Sequence, residues 1–196
     1  MHIRTLLFST LILLCAGTAM AQRPGPEFWR RVSCEPLEPR TKLETLEERY
    51  NAVVIKGFTR ITTVEVRGIR IDAVEMRELR NVALAKGLVI ELREGGERPR
   101  DNRAFVDYEE IEPLINAIEA LERVDETATK LAGFEARYKT QGDFEISVFR
   151  QTRTGTAVSL TTGICDRARQ TLSLDDLAKV KAMIQEAKAR LDEPKQ

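Results

Sequence analysis

Two stretches of this chain follow one pattern: an alternating strand, a polar hairpin, then a helix that opens on acidic residues. The first, GLVIELREGGERPRDNRAFVDYEEIEPLINAIEAL, runs from Gly87 to Leu121. The second, GDFEISVFRQTRTGTAVSLTTGICDRARQTLSLDDLAKVKAMIQEA, runs from Gly142 to Ala187. Val-Asp-Tyr-Glu-Glu-Ile at 106–111 aligns with Leu-Ser-Leu-Asp-Asp-Leu at 172–177, after which Leu114 falls on Val180 and Ile118 on Ile184. An internal repeat constrains architecture before any local assignment does, because each copy is one supersecondary unit stacked on its neighbour. The pattern predicts an α+β chain: two similar, mainly antiparallel β-sheet units, each closed by a C-terminal amphipathic helix, in a single domain. Repeat one is read over 50–123 and repeat two over 127–191.

The residues ahead of the repeats read as an export signal and a lead-in. Arg4 supplies a positive start, Leu6 to Cys15 an apolar run, and Ala19-Met20-Ala21 a small-x-small cleavage site. Cleavage is expected before Gln22, making 1–21 a signal peptide and the protein exported, periplasmic or extracellular. The run is too short for a stable membrane span, so no transmembrane segment is expected after cleavage. Leu14 stands before Cys15 where a lipoprotein cleavage site wants a small residue. Residues 22–49 form a proline-rich lead-in and a short helix, with Pro24, Pro26, Pro36 and Pro39 favouring extended chain over a packed element. Cleavage leaves two cysteines, Cys34 and Cys165. In an oxidising compartment they predict a disulfide, which would stabilise by roughly 4–5 kcal/mol in the chain-entropy model. The other reading is two buried thiols.

Charge and histidine content exclude several function classes. Basic and acidic residues number 31 each, so the chain carries no long-range field to steer polyanions or anionic lipids. Its one histidine, His2, lies in the signal. The mature chain therefore lacks the base that activates Ser-His-Asp and Cys-His nucleophiles. Imidazole zinc sites are excluded too, and two cysteines cannot build a cysteine-rich one. No cofactor is expected.

Periodicity places the elements. Thr41-x-x-Glu44 is a capping box for a short helix with Leu43, Leu46 and Tyr50 on one face. Ala52 to Phe58 reads as a strand that Gly57 ends or bulges. A second runs from Ile61 to Val66. Ile69, Ile71 and Ala73 alternate in a third, which continues through Met76 with a bulge near Val74. Leu88, Ile90 and Leu92 share a strand face, 94–99 is a loop, and Ala104 to Val106 a short return strand. Asp107, with Glu110 three residues on, is expected to cap a helix whose stripe is Ile111, Leu114, Ile115, Ile118 and Leu121, with Pro113 tightening or kinking its first turn. In the second half Lys130 to Tyr138 supplies Leu131, Phe134 and Ala136. Phe144, Ile146 and Val148 alternate, Ala157 to Leu160 returns, and a further strand carries Ile164 and Cys165. Ser173, with Asp176, caps a helix with Leu177, Val180, Met183, Ile184, Ala187 and Leu191 toward the core.

Tandem strand-rich units, each ended by a helix, resemble the Whirly and Pur-alpha class of folds over roughly residues 50–191. That likeness is topological; it implies binding of single-stranded nucleic acid on an open sheet face. The texture of Phe-Val-Asp-Tyr-Glu-Glu-Ile, and of Gly-Phe-Glu-Ala-Arg-Tyr-Lys-Thr-Gln-Gly-Asp-Phe at 133–144, is similar to small exported bacterial proteins of unassigned function. It implies a fold and no activity.

The chemical constellations read structurally. Glu109-Glu110 and Asp175-Asp176 both open helices, where carboxylates complement the helix dipole rather than converge as an acid/base pair. The glycines at 95–96 and 155 are in no phosphate-binding strand-loop-helix pattern. The most basic stretch holds Arg150, Arg153, Arg167 and Arg169, near Phe149 and Tyr138, which gives it the elements of a single-strand binder. Export, neutrality and few aromatics weigh against nucleic acid as partner. The chain therefore reads as a non-catalytic exported binding or structural domain whose partner is a protein or envelope component. A single-stranded nucleic-acid module is the runner-up, and a histidine-free carboxylate enzyme the third reading.

Overall fold

The computed structural model describes residues 38–64, 66–80, 83–97, 99–125, 127–151 and 155–194, all within one compact unit, Pro36–Gln196. The expected signal peptide, most of the lead-in and Cys34 lie outside the described residues. Eleven elements follow in order: α1 (Lys42–Glu47), β1 (Val54–Ile61), β2 (Ile69–Glu78), β3 (Leu84–Glu94), β4 (Arg100–Asp107), α2 (Tyr108–Glu122), β5 (Glu135–Lys139), β6 (Phe144–Gln151), β7 (Gly155–Thr162), β8 (Ala168–Leu172) and α3 (Leu174–Asp192). The chain is α+β, with two four-stranded antiparallel meanders, β1-β2-β3-β4 and β5-β6-β7-β8, each followed by a helix. The aligned positions Asp107 and Ser173 both occupy the N-cap of the helix that follows their sheet.

One apolar cluster holds both sheets and both long helices. Leu88, Ile90, Leu92, Ala104 and Val106 of the first sheet belong to it with Phe144, Ile146, Val148, Val158 and Leu160 of the second, and with the stripes of α2 and α3. The helices are shared between the sheets. α2 touches β3, β4 and β5, while α3 lies mainly against β2 and β1 and reaches its own sheet at β7. Polar bonds tie the sheets at their margins. Asn102 Nδ2 donates to the carbonyls of Cys165 (2.9 Å) and Asp166 (3.2 Å), and Thr162 Oγ1 donates to the Asn102 carbonyl (3.0 Å). Gly142 sits against the edge of β4 in an isolated bridge with Phe105, and a Cβ at Gly142 would fall 2.0 Å from the Phe105 carbonyl oxygen.

The middle strands of the first sheet, β2 and β3, are buried on both faces over much of their length, and this corrects several sequence expectations. β2 pairs β1 in unbroken register from Ile71 to Glu78 and β3 from Ile69 to Arg77, so there is no bulge near Val74. Ile69, Ile71 and Ala73 face the main core, and Val74 and Met76 face a second cluster on the other side, with Leu43, Leu46, Ala85, Val89 and Phe105. The apolar set changes sides between Ala73 and Val74 because α1 covers that opposite face. Gly57 neither ends nor bulges β1; it pairs with Glu75 inside a continuous ladder. Among the described residues no separate strand runs between Ile61 and Val66. Ile61 closes β1, and the following segment turns back with Val66 buried and Val64 exposed. Tyr50 lies beyond the end of α1 and is exposed. The return strand read over Ala104–Val106 extends over Arg100–Asp107. Ile164 and Cys165 lie in the bend before β8 rather than in a strand.

Thr41 and Glu44 form the expected capping box at α1, and Ser173 Oγ accepts from Asp176 N at α3. Asp107 behaves differently. It stands at the N-cap of α2 but makes no side-chain bond there. Its carboxylate instead accepts from the backbone amides of Lys42 (2.8 Å) and Leu43 (3.2 Å), free donors in the first turn of α1. A side chain read as a local cap is therefore a long-range clasp that holds α1 on the sheet. α2 runs unbroken through Pro113.

Asp107→Ala is expected to lower stability by about 2 kcal/mol, from two lost charge-assisted bonds at a buried carboxylate. Urea unfolding with amide hydrogen exchange checks it. Faster exchange should appear at Lys42 and Leu43 and spare the start of α2; faster exchange confined to α2 would refute the clasp.

Candidate binding surface

Of the four arginines singled out in sequence, Arg150, Arg167 and Arg169 are described, and they do not form one cluster. Arg150 stands near the end of β6, opposite Thr156 of β7, and Arg169 stands opposite Thr161 near the start of β8. Thr156 and Thr161 are five residues apart on one strand, so about 17 Å separates the two positions at roughly 3.4 Å per residue. They also project to opposite faces, Arg150 with Val148 and Arg169 with Thr161, because strand side chains alternate. Arg150 donates to the Ala132 carbonyl (3.3 Å), and Arg167 to the Gly163 carbonyl (3.2 Å). Arg153 lies outside the described residues. Cys165 is placed in the β7–β8 bend, and its expected partner Cys34 is outside them as well.

Charge concentrates elsewhere, on the outer face of the first sheet beyond α1. Cross-strand register sets Arg60 opposite Asp72, and Glu91 between Arg70 and Arg103. Asp72 takes Arg60 Nε at 3.2 Å and Arg70 Nε at 3.5 Å. Glu91 takes Arg70 and, at 3.8 Å, Arg93. Arg103 turns to Glu47 at 3.2 Å, which also holds Lys56 at 3.1 Å. Two open hollows of about 280 and 210 Å³ lie on this ladder, the first lined by Glu91, Asp101, Asn102 and Arg103. Each guanidinium named here is matched by a carboxylate, so the face is a self-compensated network rather than a basic footprint. A larger hollow of about 550 Å³ is lined by Arg40, Lys139, Thr140 and Gln141. Its cations are matched as well: the buried Asp143 carboxylate pairs Lys139 at 2.7 Å and also Arg40.

Three of the helix-opening carboxylates, Glu109, Glu110 and Asp176, have structural partners. The Lys42 ammonium donates to Glu109 at 2.5 Å and holds its carboxyl below the ordinary range. Glu110 accepts from the Gln141 amide (3.0 Å). Lys179, then Ser173, bonds Asp176 and lowers its pKa. Among the described residues no group of three or more His, Cys, Asp or Glu side chains stands close enough to hold a metal ion. No described helix is long and apolar enough to cross a membrane.

A surface that the sequence did not single out lies at one end of the first sheet. Ile55, Arg77 and Leu84 stand side by side in register on β1, β2 and β3. The row before it, Gly57, Glu75 and Lys86, is met by the end of α3. There Lys86 Nζ donates to the Leu191 carbonyl (3.3 Å), and Arg190, Leu191 and Glu193 line a hollow with Gly57 and Glu75. α3 ends at Asp192, so the next row projects uncovered. Val53 and Leu79, joined by the bond from Leu79 N to Val53 O (3.1 Å), extend it by one more row on the same face. Val53, Ile55, Leu79 and Leu84 are 62, 53, 55 and 52% exposed. Nothing in the run Val53-Val54-Ile55 told an uncovered edge from a buried strand; only the helix's length settles it.

No family model, curated protein or solved structure matches the chain.

Two measurements check this arrangement. Fluorescence anisotropy with labelled single-stranded DNA should show at most weak, salt-sensitive binding. Tight binding at physiological salt that is lost in an Arg150→Ala/Arg153→Ala/Arg167→Ala variant would make the basic stretch an interface after all. Non-reducing peptide mapping of protein from its own compartment should recover a linked Cys34–Cys165 peptide, and two freely alkylated thiols would refute that pairing.

Proposed function

We propose that this chain is a non-catalytic exported domain that binds a protein or envelope component through the bare end of its first sheet. The observation that carries this reading is the exposed apolar group Ile55 and Leu84, set by register on either side of Arg77, with Val53 and Leu79 bonded to each other at the next position, where α3 has ended. Large apolar side chains scattered singly are ordinary, whereas contiguous ones with a polar rim mark interaction sites. Glu109 and Asp176 are held by lysines, Glu110 by the Gln141 backbone amide, and Asp175 stands in the first turn of α3, which gives no support to acid/base work. The single-stranded nucleic-acid reading has less behind it. Of its described arginines, Arg150 and Arg169 project to opposite faces, and the outer face of the first sheet carries α1 and a neutralised ion network.

A double variant, Ile55→Asp/Leu84→Asp, separates binding from folding. Both side chains are exposed, so the urea midpoint should move by no more than about 0.5 kcal/mol in equivalent stability. Co-purification of partner protein from the native envelope should fall sharply relative to the unaltered chain. Undiminished recovery of the same partners would remove the patch from the function.

A further inference from the structure

We propose that β1 receives an extended segment of a partner protein as an added strand, and that Arg77 takes a carboxylate from that segment. This rests on the protein-binding reading above and gives the partner's conformation and chemistry.

The edge is open. Among the described residues β1 pairs with β2 alone, and its other edge carries no backbone hydrogen bond. Exposed edges are usually guarded by outward charges, prolines or bulges. Here the two charges of β1 are drawn inward along the sheet, Lys56 to Glu47 (3.1 Å) and Arg60 to Asp72 (3.2 Å), and the ladder is free of bulges. Gly57 is required neither by a left-handed backbone nor by packing, since the nearest atom to a Cβ built there is the Glu75 carbonyl oxygen at 4.0 Å. It leaves mid-strand backbone bare where another backbone approaches. Both faces beside the edge offer apolar contact: Ile55 on the core side and Phe58, 60% exposed, on the outer side. An added strand alternates its side chains across those two faces, so it finds an apolar neighbour on each.

The charge requirement comes from Arg77. It is exposed, it stands between Ile55 and Leu84 in register, and among the described residues it has no carboxylate partner. The arginines of the outer face, by contrast, all reach an acid. A strand added to β1 lies roughly 10 Å from β2, two strand spacings away, within the joint reach of an extended arginine and a glutamate on the same face. A second copy fits less well. β1 reads VIKGFTRI, with no acidic residue, so pairing two β1 edges leaves both Arg77 side chains without an acid. The occupant is therefore an alternating apolar–polar segment carrying Asp or Glu.

The test selects random linear peptides of about a dozen residues against the full mature chain, then titrates the recovered peptides. They should alternate apolar residues and carry an acid, and binding should slow exchange of the β1 amides that point away from β2. Methylating alternate peptide amides should weaken binding at least tenfold, or about 1.4 kcal/mol. Selection against Arg77→Glu should return basic in place of acidic peptides. Recovery of no peptide, β1 amides left unprotected by bound peptide, or one peptide set from both chains would overturn the proposal. So would a concentration-dependent dimer that protects the same amides. If Ile55→Asp/Leu84→Asp abolishes partner capture while bound peptides leave β1 unprotected, the patch stands and strand addition falls.

Discussion

A single apolar cluster contains the inner faces of both sheets and the stripes of α2 and α3, and the rest of the structure depends on it. A unit as small as a four-stranded meander with one helix buries only a limited share of its surface by itself. Here each inner face meets the other sheet, and α3 crosses over to lie mainly on β1 and β2. The crossing makes the repeats interdependent: the second unit's helix covers the first unit's sheet. It also sets where cover ends. The sheet outruns the helix by the row Ile55, Arg77 and Leu84, and the surface proposed for binding is a direct product of that mismatch in length.

The outer face of the first sheet divides into two regimes. Near α1 it is apolar, and the six-residue helix is too short to persist without packing and caps. Leu43 and Leu46 supply the packing, and the capping box together with Asp107 holds the helix start. Further along the same face, alternating Arg and Asp or Glu in register replace apolar cover with ion pairs. The arginines of these pairs keep contact with solvent while their carboxylates are largely buried. Their main effect is to leave the face hydrated and neutral, in keeping with the chain's balanced charge.

Much of this was legible in the sequence where one face of an element was apolar and the other polar. Phe144, Ile146 and Val148 alternate because only one side of β6 meets the core, and the stripes of α2 and α3 were read residue by residue. Legibility failed where burial was two-sided. β2 buries odd positions to Ala73 and even positions from Val74, a pattern that imitates a bulge unless α1 is known to cover the far side. It failed again where proximity in sequence stood in for proximity in space. Arg150 and Arg169 flank a hairpin whose length carries them to opposite ends and opposite faces of one sheet. Asp107 satisfied every local rule for capping α2 and bonded elsewhere, because partners 65 and 64 residues away leave no mark on local pattern. The bare sheet end was invisible for the same reason: its exposure depends on where a helix from the other repeat stops.

Native-state hydrogen exchange under increasing denaturant tests the shared core most directly. If both repeats depend on one cluster, the slowest amides of β2 and β3 and those of β6 and β7 open only by global unfolding, and their opening free energies converge on one value. Two separate values, with one sheet exchanging through a partly unfolded state while the other stays closed, would contradict a common core and the interdependence drawn from it.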